Sequence, residues 1–150
     1  MVVWQQLVIV LYAIISLLSF IKGFFEIKTK NNPFGLNKYL VVLGIFVWGD
    51  ALVLGLFWLG ICLVTLILHD WSLFLLTISV FWAVRSFGEI NYWIAEQFAG
   101  KNRNLPQTLR FYTLFKSDAV WFVYQLIWQC VLVVSLIASI YFTKVWLNGI

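Results

Sequence analysis

Charge is what this sequence has least of. Ten Lys and Arg and six Asp and Glu make up 11% of its 150 residues, against roughly 25% in a typical soluble domain. With 63% hydrophobic residues and a mean hydropathy of +0.97, the chain could not cover a core with polar surface. That excludes a soluble globular enzyme. Disorder is excluded as well, because nearly every segment is apolar and disordered chains are not. The length suits one domain.

The scarce reactive residues narrow the chemistry further. Two cysteines, one histidine and one methionine are present. Cys62 and Cys130 lie inside long apolar runs, where a thiol packs as a small hydrophobe. No CxxC or Cys/His cluster exists to hold zinc or run thiol exchange. With His69 and Met1 alone, a bis-histidine or His/Met haem within one chain is excluded. Nothing resembles HExxH, GxSxG or a paired-aspartate protease motif. No catalytic residue, metal or cofactor is therefore assigned. The net charge of +4 invites a nucleic-acid partner, but the cations flank apolar segments, which is the mark of membrane topology instead.

What the chain does have is long apolar runs. A transmembrane helix needs about 20 mainly apolar residues, and four stretches qualify: about 3–21, 39–68, 71–98 and 119–143. The fold expected is all-α, a polytopic membrane protein with four transmembrane helices in a bundle. Only His69 and Asp70 separate the second and third spans, which should form a tight antiparallel hairpin. The first span lacks the basic n-region and small-residue cleavage site of a signal peptide, and its cation, Lys22, follows the apolar run.

Orientation follows from the positive-inside rule. The loop 22–38 carries Lys22, Lys28, Lys30 and Lys38, and the loop 99–118 carries Lys101, Arg103, Arg110 and Lys116. The other side has only Lys144, beside His69 and Asp70. Both basic loops are expected in the cytoplasm and both termini outside, most simply in a bacterial plasma membrane or an organelle's inner membrane. Aromatic residues agree, since Trp and Tyr favour the interfaces. Trp4, Trp71 and Trp146 fall at outer ends; Tyr39, Trp93 and Trp121 fall near inner ends.

Within the second loop, residues 104–116 read as a short interfacial helix. Asn104 would cap it, Pro106 would sit in its first turn, and Leu105, Leu109, Tyr112 and Phe115 would share a face. Such a helix either rests on the membrane or docks a partner. The segment Asn31-Asn32-Pro33-Phe34-Gly35 is a turn signal.

Charges inside spans cost about 2.5–3.5 kcal/mol each on insertion scales and call for an account. Asp50 lies in the second span, and Arg85, Glu89 and Glu96 in the third. Arg85 and Glu89 are i,i+4 neighbours. Asp50 and Glu89 stand equally far from the 69–70 turn, at one level about 27 Å from the outer end. A cluster of Asp50, Arg85 and Glu89 is predicted, serving either structure or a shared, titratable proton. Glu96 is placed at the inner interface, in reach of water.

Small residues that let helices approach mark the packing faces. These are Gly44, Ala51, Gly55 and Cys62 in the second span and Ser79, Ala83 and Ser86 in the third. The first span has Ser16, Ser19 and Gly23, and the fourth Ser135 and Ser139. The same faces would serve a bundle or a homodimer. Internal Trp48, Trp58, Trp82 and Trp128 either fill gaps between helices or line a cavity for a hydrophobic molecule. Three classes of function follow. The first is an accessory, assembly or interaction subunit of a larger membrane complex, with the bilayer and a protein or second copy as partners. The second is a small proton- or cation-coupled transporter or channel using Asp50, Arg85 and Glu89. The third, an intramembrane enzyme, has no motif behind it.

Overall fold

A helix satisfies its own backbone, so apolar runs destined for lipid fold as helices. A computed structural model describes residues 1–98, 100 and 103–149. It is 79% helix, and no strand occurs among the described residues. Four helices are long and apolar enough to cross a membrane: α1 (Val3–Lys30), α2 (Trp48–Leu68), α3 (Trp71–Phe98) and α5 (Ala119–Leu147). A single turn, α4 (Tyr112–Phe115), precedes α5. The chain divides into two compact units, Met1–Thr77 and Ile78–Ile150.

In the first unit, α1 and α2 pack along a seam of small residues. The buried positions of α2 are Ala51, Gly55, Trp58, Cys62 and Thr65, alternating steps of four and three. That is the heptad spacing of a close, left-handed helix pair. Opposite lie Ile9, Ser16, Ser19 and Gly23. A Cβ at Gly55 would stand 2.9 Å from Phe20 Cβ and 3.0 Å from the Ser16 carbonyl oxygen. A Cβ at Gly23 would stand 2.7 Å from Ala51 Cβ. The seam hydroxyls remain satisfied because Ser16, Ser19 and Thr65 donate to carbonyls of their own helices, Tyr12, Ile15 and Ile61.

The second helix begins later than expected. Residues 39–47, although apolar, do not continue α2; they belong to a hairpin that runs back along the helices. Its base is closed by Gly49 N–H donating to the Pro33 carbonyl (2.8 Å) and Trp48 N–H to that of Gly35 (3.2 Å). Leu36 and Val47 form an antiparallel bridge, and Asn37 N–H donates to the Phe46 carbonyl at 2.7 Å. The tip is a 3-10 turn, Val41–Leu43, ended by Gly44 at φ 71°. Gly44 is thus a left-handed turn residue and no part of a helix face, correcting its expected packing role. Non-helical backbone in so apolar a segment needs hydrogen-bond partners, and two aromatic side chains supply them. Trp58 Nε1–H donates to the Leu43 carbonyl at 3.0 Å, and Tyr12 O–H to that of Val42 at 3.4 Å. Asn37 Oδ1 accepts from the N–H groups of Tyr39 and Leu40. Trp58 lies two and a half turns beyond Gly49, about 13 Å along α2, so the tip is far from its base.

The α2–α3 turn is closed at both sides. His69 adopts φ 51° and ends α2, while Asp70 Oδ1 accepts from Ser72 N–H (2.9 Å) and Leu73 N–H (3.1 Å). Trp71 meets Trp4 edge-on at 5.4 Å, and buried Phe74 meets Tyr12 likewise at 5.5 Å.

The second unit is held by aromatic residues. Trp93, Val120 and Trp121 form its buried cluster, with Leu109, Phe111 and Tyr124 packed against it. Trp93 stacks on Tyr124 at 4.6 Å and Trp82 on Trp128 at 6.3 Å. These internal rings fill space between α3 and α5. Gln97 bonds Gln125 across the same pair at 2.8 Å. On α3, Ser79, Ala83 and Ser86 are all buried on one face.

The segment 104–116 is not one helix. A 3-10 turn at Pro106–Thr108 and the α4 turn are separated by extended Leu109, at φ −84°, ψ 142°. Asn104 caps neither. Its carbonyl accepts from Trp121 Nε1–H at 3.0 Å, and its side-chain amide donates to the Tyr92 hydroxyl at 2.5 Å. These contacts fold the segment onto α3 and α5 and override its helical pattern. Lys101 lies outside the described residues.

The seam gives a direct test. Gly55→Val should destabilise the protein by about 1–3 kcal/mol, as overpacking does, because the neighbouring atoms are backbone or bound to it. Gly60→Ala and Gly88→Ala, which meet nothing within 4 Å, should not destabilise the protein and should gain up to about 1 kcal/mol from helix propensity. Denaturant titration in detergent measures all three.

Candidate functional site

Each carboxylate of an apolar chain must find a partner, so the six acidic residues show what the polar groups do. Glu26 pairs with Lys30 one turn on, at 2.6 Å. Asp50 sits in the first turn of α2, where a carboxylate is favoured by free N–H groups and the helix dipole. Its Oδ2 accepts from Phe46 N–H at 3.0 Å and Val47 N–H at 3.3 Å. Asp50 is therefore a helix-entry acceptor at the base of the hairpin, not a charge in mid-helix. Asp70 does the same for α3 and also accepts from the Ser72 hydroxyl at 2.6 Å. The exposed His69 beside it is a turn residue. Asp118 stands at the start of α5 and makes no side-chain capping bond there.

Arg85 and Glu89 are brought together on α3, Nη2 to Oε1, at 3.2 Å. Their side chains are 26% and 17% exposed, so the pair is largely shielded. Of the expected cluster, Asp50 belongs to the first unit and Arg85 and Glu89 to the second.

Glu96 corrects the expectation of a water-facing residue. It is 4% exposed. Oε1 accepts from Arg103 N–H at 3.1 Å and Oε2 from Asn104 N–H at 2.9 Å. The loop folds over the end of α3 and uses the carboxylate as its acceptor, with Tyr92, Asn104 and Trp121 completing the clasp. Sequence reasoning missed Tyr12, Asn37 and Trp58 as hairpin anchors and Trp121 as a loop anchor. For Tyr12, Trp58 and Trp121 the available signal was a hydrogen-bonding side chain in an apolar run; Asn37 lies in the polar segment before one.

No three His, Cys, Asp or Glu side chains converge into a metal-binding group among the described residues. Asp50, Asp70 and Glu96 accept backbone N–H groups, and Glu26 and Glu89 pair with cations one turn away. Comparison with family models, curated proteins and solved structures finds no match to this chain.

Charged acceptors are worth roughly 1.5–3 kcal/mol each, and a stranded buried donor costs the desolvation penalty besides. Glu96→Ala should destabilise the protein by about 2–4 kcal/mol and speed hydrogen exchange at the Arg103 and Asn104 amides. Glu96→Gln, which keeps an acceptor, should lose less. Unchanged exchange in Glu96→Ala would contradict the clasp.

Proposed function

We propose that this chain is a small integral membrane protein serving as an accessory, assembly or interaction subunit of a larger membrane complex. One observation carries the proposal: five of the six carboxylates are engaged within their own unit, on backbone N–H groups or in i,i+4 ion pairs. A coupling carboxylate must exchange its partner for a proton or cation during each cycle. Carboxylates that close helix ends and loops have instead the work of a scaffold. The extensive apolar surface of α1 and α5 is suited to lipid and to partner helices. In this proposal the four helices form one bundle with both termini outside. The basic segments 22–38, of which 22–30 extend α1, and 99–118 face the cytoplasm of a bacterium or the equivalent side of an organelle membrane. Its partners are the bilayer and the other subunits of that complex, which it joins singly or self-associated with a second copy, not nucleic acid.

The competing reading is a proton- or cation-coupled transporter or channel working through Asp50, Arg85 and Glu89. The Arg85–Glu89 pair, an intramembrane ion pair on one helix face, is what favours it. Two measurements separate them. Isolated from native membranes in mild detergent, the protein should migrate in a complex with other subunits in fixed ratio. A lone homodimer would contradict the accessory role. Arg85→Leu should destabilise the protein by about 2–4 kcal/mol by stranding Glu89. The double change Arg85→Leu, Glu89→Leu should recover most of that loss and keep the complex intact.

Topology is tested by cysteine labelling in a Cys130→Ala background. Cysteine at Thr29 or Gln107 should be shielded from an impermeant outside reagent, and cysteine at His69 should be labelled. Outside labelling of both loops would overturn the orientation.

A further inference from the structure

We propose that the cleft between α1 and the re-entrant hairpin binds an anionic phospholipid from the leaflet on the Lys22 side. Its phosphate would sit at Lys22 and Lys38, with its glycerol and first acyl carbons against Leu18, Leu36, Tyr39 and Trp48. The proposal rests on the membrane character of the helices and is independent of the accessory role.

The cleft lies wholly within the first unit and is an open groove of about 420 Å³, a volume within the usual range for ligand sites. Its lining holds two lysines and no Asp or Glu among the described residues. Its other side chains with polar atoms, among the described residues, are Ser19, Asn37, Tyr39 and Trp48, none of them anionic, and the first two already serve backbone groups. The charge left facing the cleft is therefore positive. Lys22 is held at its wall, with Nζ over the Trp48 ring at 5.2 Å. Lys38 is flanked by Leu36 and Tyr39, which are 79% and 94% exposed. A ribbon that alternates apolar surface with a cation suits neither water nor hydrocarbon alone. It suits the level where phosphates meet acyl chains. A free phosphate would satisfy the lysines but leave the apolar walls bare, and a neutral lipid would leave the lysines without a counter-charge.

The test uses the full chain in neutral maltoside micelles and follows its melting temperature. Dioleoyl phosphatidylglycerol, dioleoyl phosphatidylcholine and inorganic phosphate are added separately. Phosphatidylglycerol should give a saturable rise that the other two do not. In Lys22→Gln/Lys38→Gln, half-saturation should need at least about ten-fold more phosphatidylglycerol, since each interfacial lysine is worth about 1 kcal/mol toward an anionic lipid. Lys116→Gln/Lys144→Gln, which removes equal charge elsewhere, should titrate like the wild type. Equal rises with both lipids, a full rise with phosphate alone, or an unchanged midpoint in the Lys22/Lys38 variant would each overturn the site. Should that variant not fold, native mass spectrometry of the wild type decides, from micelles holding equal amounts of both lipids. Preferential retention of phosphatidylglycerol supports the site, and equal occupancy overturns it.

Discussion

A backbone N–H or C=O left without a partner in hydrocarbon costs several kcal/mol, and the structure is organised around that constraint. Inside the four long helices the backbone satisfies itself. At every break between them a side chain substitutes. Asn37, Asp50, Trp58 and Tyr12 close the break before α2; Asp70 closes the turn before α3; Glu96 and Trp121 close the loop before α5. Polar side chains thus serve the backbone where the helices stop.

This division of labour bears on function. A carboxylate that holds two N–H groups in place stabilises one conformation, and giving up those bonds would open a helix end or a loop. Asp50, Asp70 and Glu96 are of that kind. Arg85 and Glu89 form an i,i+4 ion pair on one face of α3. The heptad seam of α1 and α2 and the stacked rings of α3 and α5 likewise favour fixed packing within each unit. Broad apolar faces on α1 and α5 accompany that packing.

Much of the fold was legible because length and hydropathy decide where a helix can span. The α3 boundaries and the start of α5 agree with the apolar runs, and the seam residues Ala51 and Gly55 stood out as small residues at helical spacing. Residues 39–47 were not legible. Leu-Val-Val-Leu-Gly-Ile-Phe-Val is as apolar as a helix interior, and what turns it into a hairpin is tertiary. Tyr12 and Trp58, distant in sequence, take the carbonyls of Val42 and Leu43, and Gly44 adopts the left-handed turn. Glu96 failed for a related reason. Its place at the end of a span suggested water, but the following loop folds back and buries it. Asn104 and Pro106 carried a genuine helix-start pattern, overridden by bonds to Tyr92 and Trp121.

The central claim is that the carboxylates of the spans hold structure and do not carry ions. Purified protein reconstituted into liposomes, with a pH gradient or a sodium or potassium gradient imposed, tests it most directly. Flux equal to that of protein-free liposomes, for the wild type and for Asp50→Asn and Glu89→Gln alike, is the expected result. Flux well above that background, abolished by either substitution, would contradict the account.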